Sequence, residues 1–186
     1  PSGSDFGLLY FLPLHTAMES IAIIIAMLVF GIAWHTYSYE RPGNLVLIGA
    51  VLFSAGLIDF VHQMSYFGMP DFVTSASAQK SISFWLAARY LAAIGMLAIA
   101  IRPWGPSNRP QFRYLVLGGG LVYVAIVYWL VLFKPELVPV FFIPGRGLTG
   151  LKISLEYLLV ALNIAAALLF YRHARNGAKF DAGSLF

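Results

Sequence analysis

The chain has 186 residues, of which 60% are hydrophobic, 11% are charged and none is cysteine. An ordinary soluble domain is about 25% charged, so this composition excludes almost any soluble enzyme, a disordered segment and a disulfide-stapled secreted domain. The net charge is +4, but the basic residues form no runs, which argues against a nucleic-acid partner. We therefore expect lipid to be the main solvent of the chain.

Five stretches are long and apolar enough to cross a bilayer core, which needs about 20 helical residues. In chain order they cover residues 14–37, 44–63, 82–101, 114–133 and 152–171. Since backbone polar groups in lipid must be satisfied within their own segment, each stretch is expected to be a helix, the first with Pro13 in its first turn. The sequence predicts an all-α, multi-pass transmembrane helical bundle.

The chain divides into a lead-in over 1–13 on the periplasmic side, a transmembrane domain over 14–172 and a cytoplasmic linker over 173–186. With the N-terminus outside, the inner segments carry seven Lys and Arg residues and the outer segments carry four. This asymmetry predicts a cytoplasmic C-terminus. Because the chain opens with Pro1 rather than Met, we also expect an upstream segment.

Two pairs of ionisable residues lie inside the first two spans. His15 and Glu19 are four residues apart in the first span, and Asp59 and His62 are three apart in the second. Each spacing places its two side chains on one helix face, and the opposite directions of the two spans put both pairs at the same depth, in the outer half of the bundle. An ionisable group at the centre of a spanning helix costs roughly 2.5–3.5 kcal/mol, so these residues need a partner or a function.

Imidazole and carboxylate donors without a thiolate suit Zn, Fe, Cu or Mn. The predicted metal ligands are His15, Glu19, Asp59 and His62, with Arg89 and Glu156 as their outer partners. An alternative is haem b with His15 and His62 as its axial ligands. Other open interpretations are a metal-free polar network, solvation at the interface, a transporter or proton relay using the carboxylates, a membrane enzyme with a metal-bound water, and binding of a small organic signal.

Two further features bear on packing. Lys152 and Glu156 are four residues apart, which allows a helical ion pair, although the lysine is expected to extend to the surface. Small residues at 92, 93, 95, 118–120 and 165–167 predict close approach between helices. No catalytic signature is present, so the chain itself is predicted not to be an enzyme.

Four segments resemble the third of the bacterial membrane-associated sensor families. They carry the His…Glu pair, the Asp…His pair, a Trp-x-x-x-Arg-Tyr stretch and a Lys-x-x-x-Glu-Tyr stretch, at 15–20, 56–69, 84–90 and 147–157. The resemblance covers about residues 14 to 172. Members of that family are sensory input domains in the bacterial inner membrane, fused to cytoplasmic histidine kinases or diguanylate cyclases.

The resemblance therefore implies a sensor that signals to an output domain in the same polypeptide. We expect this sensor to work as a homodimer. The resemblance also implies a sixth, N-terminal span upstream of the five.

Overall fold

The computed structural model describes residues 3–38, 42–105 and 109–175, with side chains in the first helix described from residue 11 onward. Long helices account for most of this part of the chain. They are α1 (Gly3–His35), α2 (Gly43–Met64), α3 (Ala78–Ile101), α4 (Phe112–Phe133) and α5 (Gly150–Arg175). A single 3₁₀ turn (Pro135–Leu137) and a hairpin of two short strands, β1 (Phe142–Ile143) and β2 (Gly147–Leu148), join α4 to α5.

All five long helices of the described part are long and apolar enough to cross a membrane. This confirms the predicted all-α, multi-pass bundle. The first helix begins earlier than predicted, at Gly3, so most of the predicted lead-in is helical and Pro13 lies inside α1 rather than in its first turn. Of the predicted linker over 173–186, residues 173–175 continue α5 and the remainder lies outside the described residues.

Helix α2 is the centre of the bundle, where it contacts α1, α3 and α4. Glycine allows these close approaches. A Cβ atom on Gly49 of α2 would lie 2.7 Å from the Cβ atom of Ala33 in α1, and one on Gly95 of α3 would lie 2.7 Å from Cγ1 of Val51 in α2. A Cβ on Gly120 of α4 would collide with Ser54 of α2. Small residues thus set the helix spacing, as is usual where association in lipid depends on packing.

Helix α5 packs mainly against α3. Leu159 of α5 is buried in a cluster with Leu86 and Ala93 of α3. The Tyr90 hydroxyl of α3 donates a hydrogen bond of 2.9 Å to the carbonyl of Leu155. These contacts make α3 the link between α2 at the bundle centre and α5 at its edge.

The loop between α2 and α3 and the α4–α5 connection are both tied to the start of α3. Lys80 is only 7% exposed, and its Nζ donates to the carbonyls of Phe72 and Thr74 at 2.8 and 2.9 Å. Gln79 accepts hydrogen bonds at Oε1 from the backbone N–H groups of Phe141 and Phe142 at 2.7 and 3.0 Å. We call the end of the bundle where α2 ends and α3 begins the site end.

Candidate metal centre

The structure brings three of the predicted site residues together at the site end. His15 and Glu19 project from α1, and His62 projects from the last turns of α2. One ligand atom from each residue lies within 4.8 Å of the corresponding atoms of the other two. The His15 and His62 rings meet edge to face, with 5.9 Å between their centroids. The helical spacing of His15 and Glu19 and the close packing of α1 on α2 produce this group.

Two atoms of this group are buried without a hydrogen-bond partner. They are Nε2 of His15 and Oε2 of Glu19. Leaving a polar atom buried and unpaired costs about 1–3 kcal/mol, and more for a charged group. An ion held between the imidazole nitrogen and the carboxylate oxygen would satisfy both atoms at once. These two unpaired atoms therefore fit a bound metal ion better than they fit a polar network closed by hydrogen bonds within the chain.

His62 is oriented by α3. His62 is 5% exposed, and its Nδ1 lies 2.8 Å from the carbonyl oxygen of Ser81 and 3.0 Å from the Ser81 hydroxyl. Because a carbonyl oxygen only accepts, Nδ1 must carry the proton and donate it to Ser81. The lone pair of a neutral His62 is then on Nε2, the nitrogen available to a metal. Metal-ligating histidines are commonly held in this way by a second group on the other ring nitrogen.

Two aromatic rings pack against His15. The Phe11 ring stacks on His15 with 5.5 Å between centroids, and the Tyr66 ring lies 4.8 Å from the same imidazole. Gln63 joins the helices next to the group, since its Nε2 donates to the Thr16 carbonyl at 3.2 Å and to the Ser20 hydroxyl at 3.0 Å. These contacts hold His15 and Glu19 in place relative to α2.

Asp59, the fourth predicted ligand, has a different partner. Nη2 of Arg89 donates to both Asp59 carboxylate oxygens at 3.0 Å, and the Asp59 side chain is 9% exposed. Among the described residues, Asp59 is not one of the three whose ligand atoms converge. Arg89 was predicted as an outer partner of the site, and it neutralises Asp59 across the α2–α3 contact. The arrangement differs from the predicted one because the second helix turns Asp59 towards α3 and His62 towards α1 and the start of α3.

Glu156 also has a different partner from the predicted one. It forms an ion pair with Lys152, one turn earlier in α5. Lys152 is 7% exposed rather than extended to the surface, and its Nζ lies 5.2 Å from the centroid of the Trp85 ring. This pair joins α5 to α3 near the site end, outside the three-residue group.

Two residues that orient the group were not identified from the sequence. Ser81 is the partner of His62, and Gln63 bridges α2 to α1. Nothing in the sequence distinguishes Ser81 from the other serines near the start of α3, because it acts largely through its backbone carbonyl. Gln63 could have been noticed as an amide at the end of an apolar span, where a polar side chain needs a partner.

The resulting set offers two imidazole nitrogens and one carboxylate oxygen. Three such ligands suit a divalent ion of the Zn, Fe, Cu or Mn type and leave a four-coordinate ion with one open position. Carboxylate and imidazole ligands of this kind build metal sites inside helix bundles.

Comparison with known proteins identifies the family. The model of the MASE3 family, described as a membrane-associated sensor domain, matches residues 6–186. No curated protein and no solved structure matches the chain. The family match confirms the predicted resemblance, assigns sensing rather than catalysis, and agrees with the multi-pass helical bundle in the structure. The chain therefore belongs to the MASE3 family of membrane-associated sensor domains.

Proposed function

We propose that this sensor domain binds a divalent transition-metal ion through His15, Glu19 and His62, and that the bound ion is part of its input signal. The observation that carries the proposal is the convergence of three ligand atoms within 4.8 Å, two of them on side chains with a buried, unpaired polar atom. A metal-free bundle would leave these atoms unsatisfied in a medium that supplies no water. The open coordination position would allow a second small ligand to modulate the site.

The proposed signal passes from the metal to α3 and then to α5. His62 contacts Ser81 at the start of α3, and α3 carries most of the contacts of α5. At the other end, Nε2 of His173 in α5 lies 2.9 Å from the Ala100 carbonyl of α3. An ion that draws His15 and His62 together would shift the position of α3 against α2, and α5 would move with α3. Such a response needs two bundle arrangements that differ in metal affinity.

The receiver is an output domain, a histidine kinase or a diguanylate cyclase, on the cytoplasmic side of a bacterial inner membrane. The excess of Lys and Arg at the end of the bundle where α1, α3 and α5 end supports this orientation. We further propose that the domain signals as a homodimer, because a symmetric pair would place two C-terminal segments next to each other.

The alternative ligand is haem b between His15 and His62. The close packing of α1 on α2 favours a metal ion without a porphyrin, since a porphyrin ring would need a wide gap between these two helices. Transport or proton relay through the carboxylates receives less support, because Asp59 and Glu156 are engaged in ion pairs.

The test is metal content. The purified domain should contain close to one equivalent of a single transition metal by elemental analysis, and its visible spectrum should lack a Soret band. His15→Ala and His62→Ala should each lose the metal, whereas His35→Ala, an exposed histidine at the opposite end of α1, should retain it. A metal-free wild-type protein after expression in metal-supplemented medium, or equal metal in all variants, would refute the site. A Soret band lost in both ligand variants would favour haem.

A further inference from the structure

One flank of the α3–α5 pair carries polar side chains inside the membrane-spanning part. We call it the α3–α5 face and define it by Arg89, Glu156 and Asn163. Lys152 of α5 lies over the Trp85 ring of α3, and Arg89 and Glu156 each follow one helical turn later on the same faces. The two helices run in the same direction, since residue 90 contacts residue 155 and residue 100 contacts residue 173. Arg89 and Glu156 are therefore side by side at one depth.

This face is turned away from α4. The other flank of the pair holds Tyr90 and Leu155, which line a cavity of about 420 Å³ together with α4 residues. Trp85 and Arg89 project from the opposite side of α3, at helical angles roughly 140° and 100° from Tyr90. On this face Arg89 reaches Asp59 of α2, whereas α5, within the described residues, packs extensively only against α3, which leaves the Glu156 and Asn163 side of the face without a covering helix.

The polar groups on this face are only partly satisfied within the chain. The side chains of Arg89 and Glu156 are each 38% exposed although both are paired. Asn163 is exposed near the middle of α5, and its one hydrogen bond within the described chain runs from Nδ2 to the carbonyl of Leu159, at 2.8 Å. The remaining amide hydrogen and the amide oxygen of Asn163 have no partner there. An uncovered amide of this kind in hydrocarbon is costly, so lipid is a poor cover for this face.

We propose that a second copy of this chain covers the α3–α5 face, with a two-fold axis normal to the membrane running between α3 and α5. Rotation about such an axis preserves depth and exchanges the two sides of the face. Arg89 of each copy would then meet Glu156 of the other copy, so the face is complementary to itself in charge. The Asn163 amides, two turns deeper, would hydrogen-bond across the pair, and the small side chain of Ala167 would let the helices approach.

This inference gives the proposed homodimer a specific contact, and it does not depend on the bound metal. The absence of cysteine makes it directly testable, because a single introduced cysteine is the only thiol. Ala167→Cys places a thiol on the exposed flank of α5 beside Asn163, and Ile126→Cys places one on the 50% exposed lipid face of α4. Both variants are reconstituted in liposomes at several protein-to-lipid ratios and treated with a short bis-maleimide.

We expect a covalent dimer for Ala167→Cys and a monomer for Ile126→Cys. Adding Asn163→Leu to Ala167→Cys should lower the dimer fraction at limiting protein about fivefold, since an interhelical hydrogen bond in lipid has about that effect on association. Equal cross-linking of both single-cysteine variants, a monomeric Ala167→Cys at every ratio, or no effect of Asn163→Leu would overturn the proposed contact.

Metal content and far-ultraviolet circular dichroism on the same samples separate the possible failures. A helical, metal-loaded protein that stays monomeric refutes the dimer face alone. A metal-free protein that cross-links through Ala167→Cys refutes the metal site alone.

Discussion

The ion pair between Asp59 and Arg89 should be a major contributor to the stability of the bundle. The Asp59 side chain is 9% exposed, and both of its oxygens lie 3.0 Å from Nη2 of Arg89. Removing one member of a buried pair costs about 3–5 kcal/mol because the other charge is left uncompensated. Arg89 is 38% exposed, so we expect Arg89→Met to cost about 3 kcal/mol, at the lower end of that range.

The double variant Asp59→Leu/Arg89→Met removes both charges together. Its cost should be clearly less than the sum of the two single variants, because neither partner is then left unpaired. Reversible unfolding in mixed micelles, titrated with a denaturing detergent, gives the four free energies of unfolding. The protein is diluted until it is monomeric, since Arg89 also lies on the α3–α5 face.

A matched control is the ion pair of Lys134 and Glu136. Its atoms are 3.8 Å apart and its side chains are 46% and 62% exposed. Lys134→Met should change the free energy of unfolding by less than about 1 kcal/mol, as is usual for exposed pairs. Costs for Arg89→Met as small as those of this control, combined with an additive double variant, would show that the α2–α3 ion pair does not stabilise the bundle.

Two further predictions concern helix packing and proton competition. Gly95→Ala should destabilise the protein by about 1–3 kcal/mol, because the added Cβ would lie 2.7 Å from Val51. Gly119→Ala, whose added Cβ would have nothing within 4 Å, should be neutral or slightly stabilising in the same unfolding assay. Equal effects of the two substitutions would mean that α2 and α3 are not in close contact at Gly95. Metal affinity should fall as the pH is lowered from about 7.5 to about 5, because protons compete with the ion for the two imidazoles. Competition with a chromogenic chelator measures this affinity. An affinity independent of pH would argue against histidine ligation.

The membrane-spanning architecture could be predicted from the sequence because the bilayer imposes it. A chain with 60% hydrophobic residues and five apolar stretches has few alternatives to helices in lipid. The predicted helix boundaries were less accurate where polar residues form the first turn of a helix. α3 begins at Ala78 rather than at residue 82, because Gln79 and Lys80 lie in its first turn and their polar groups are satisfied by neighbouring loops.

Small residues in apolar spans were predicted to permit close helix contacts, and only some of them do so. Gly95 and Gly120 lie against α2, whereas Gly118 and Gly119 have no atom within 4 Å. Periodicity alone does not reveal this difference, because it depends on the rotation of α4 about its own axis.

The sequence by itself determined which polar side chains share a helix and a depth, because those properties follow from the chain order and a rise of 1.5 Å per residue. His15 and Glu19 had to share one face of α1, and Asp59 and His62 had to share one face of α2. Only the tertiary structure decided their partners. The side chains of Asp59 and His62 are still about 60° apart around the axis of α2, because three steps of about 100° fall short of a full turn. Asp59 therefore contacts Arg89 of α3, while the His62 ring contacts His15 of α1. That choice depends on how each helix is rotated and on which neighbour it packs against.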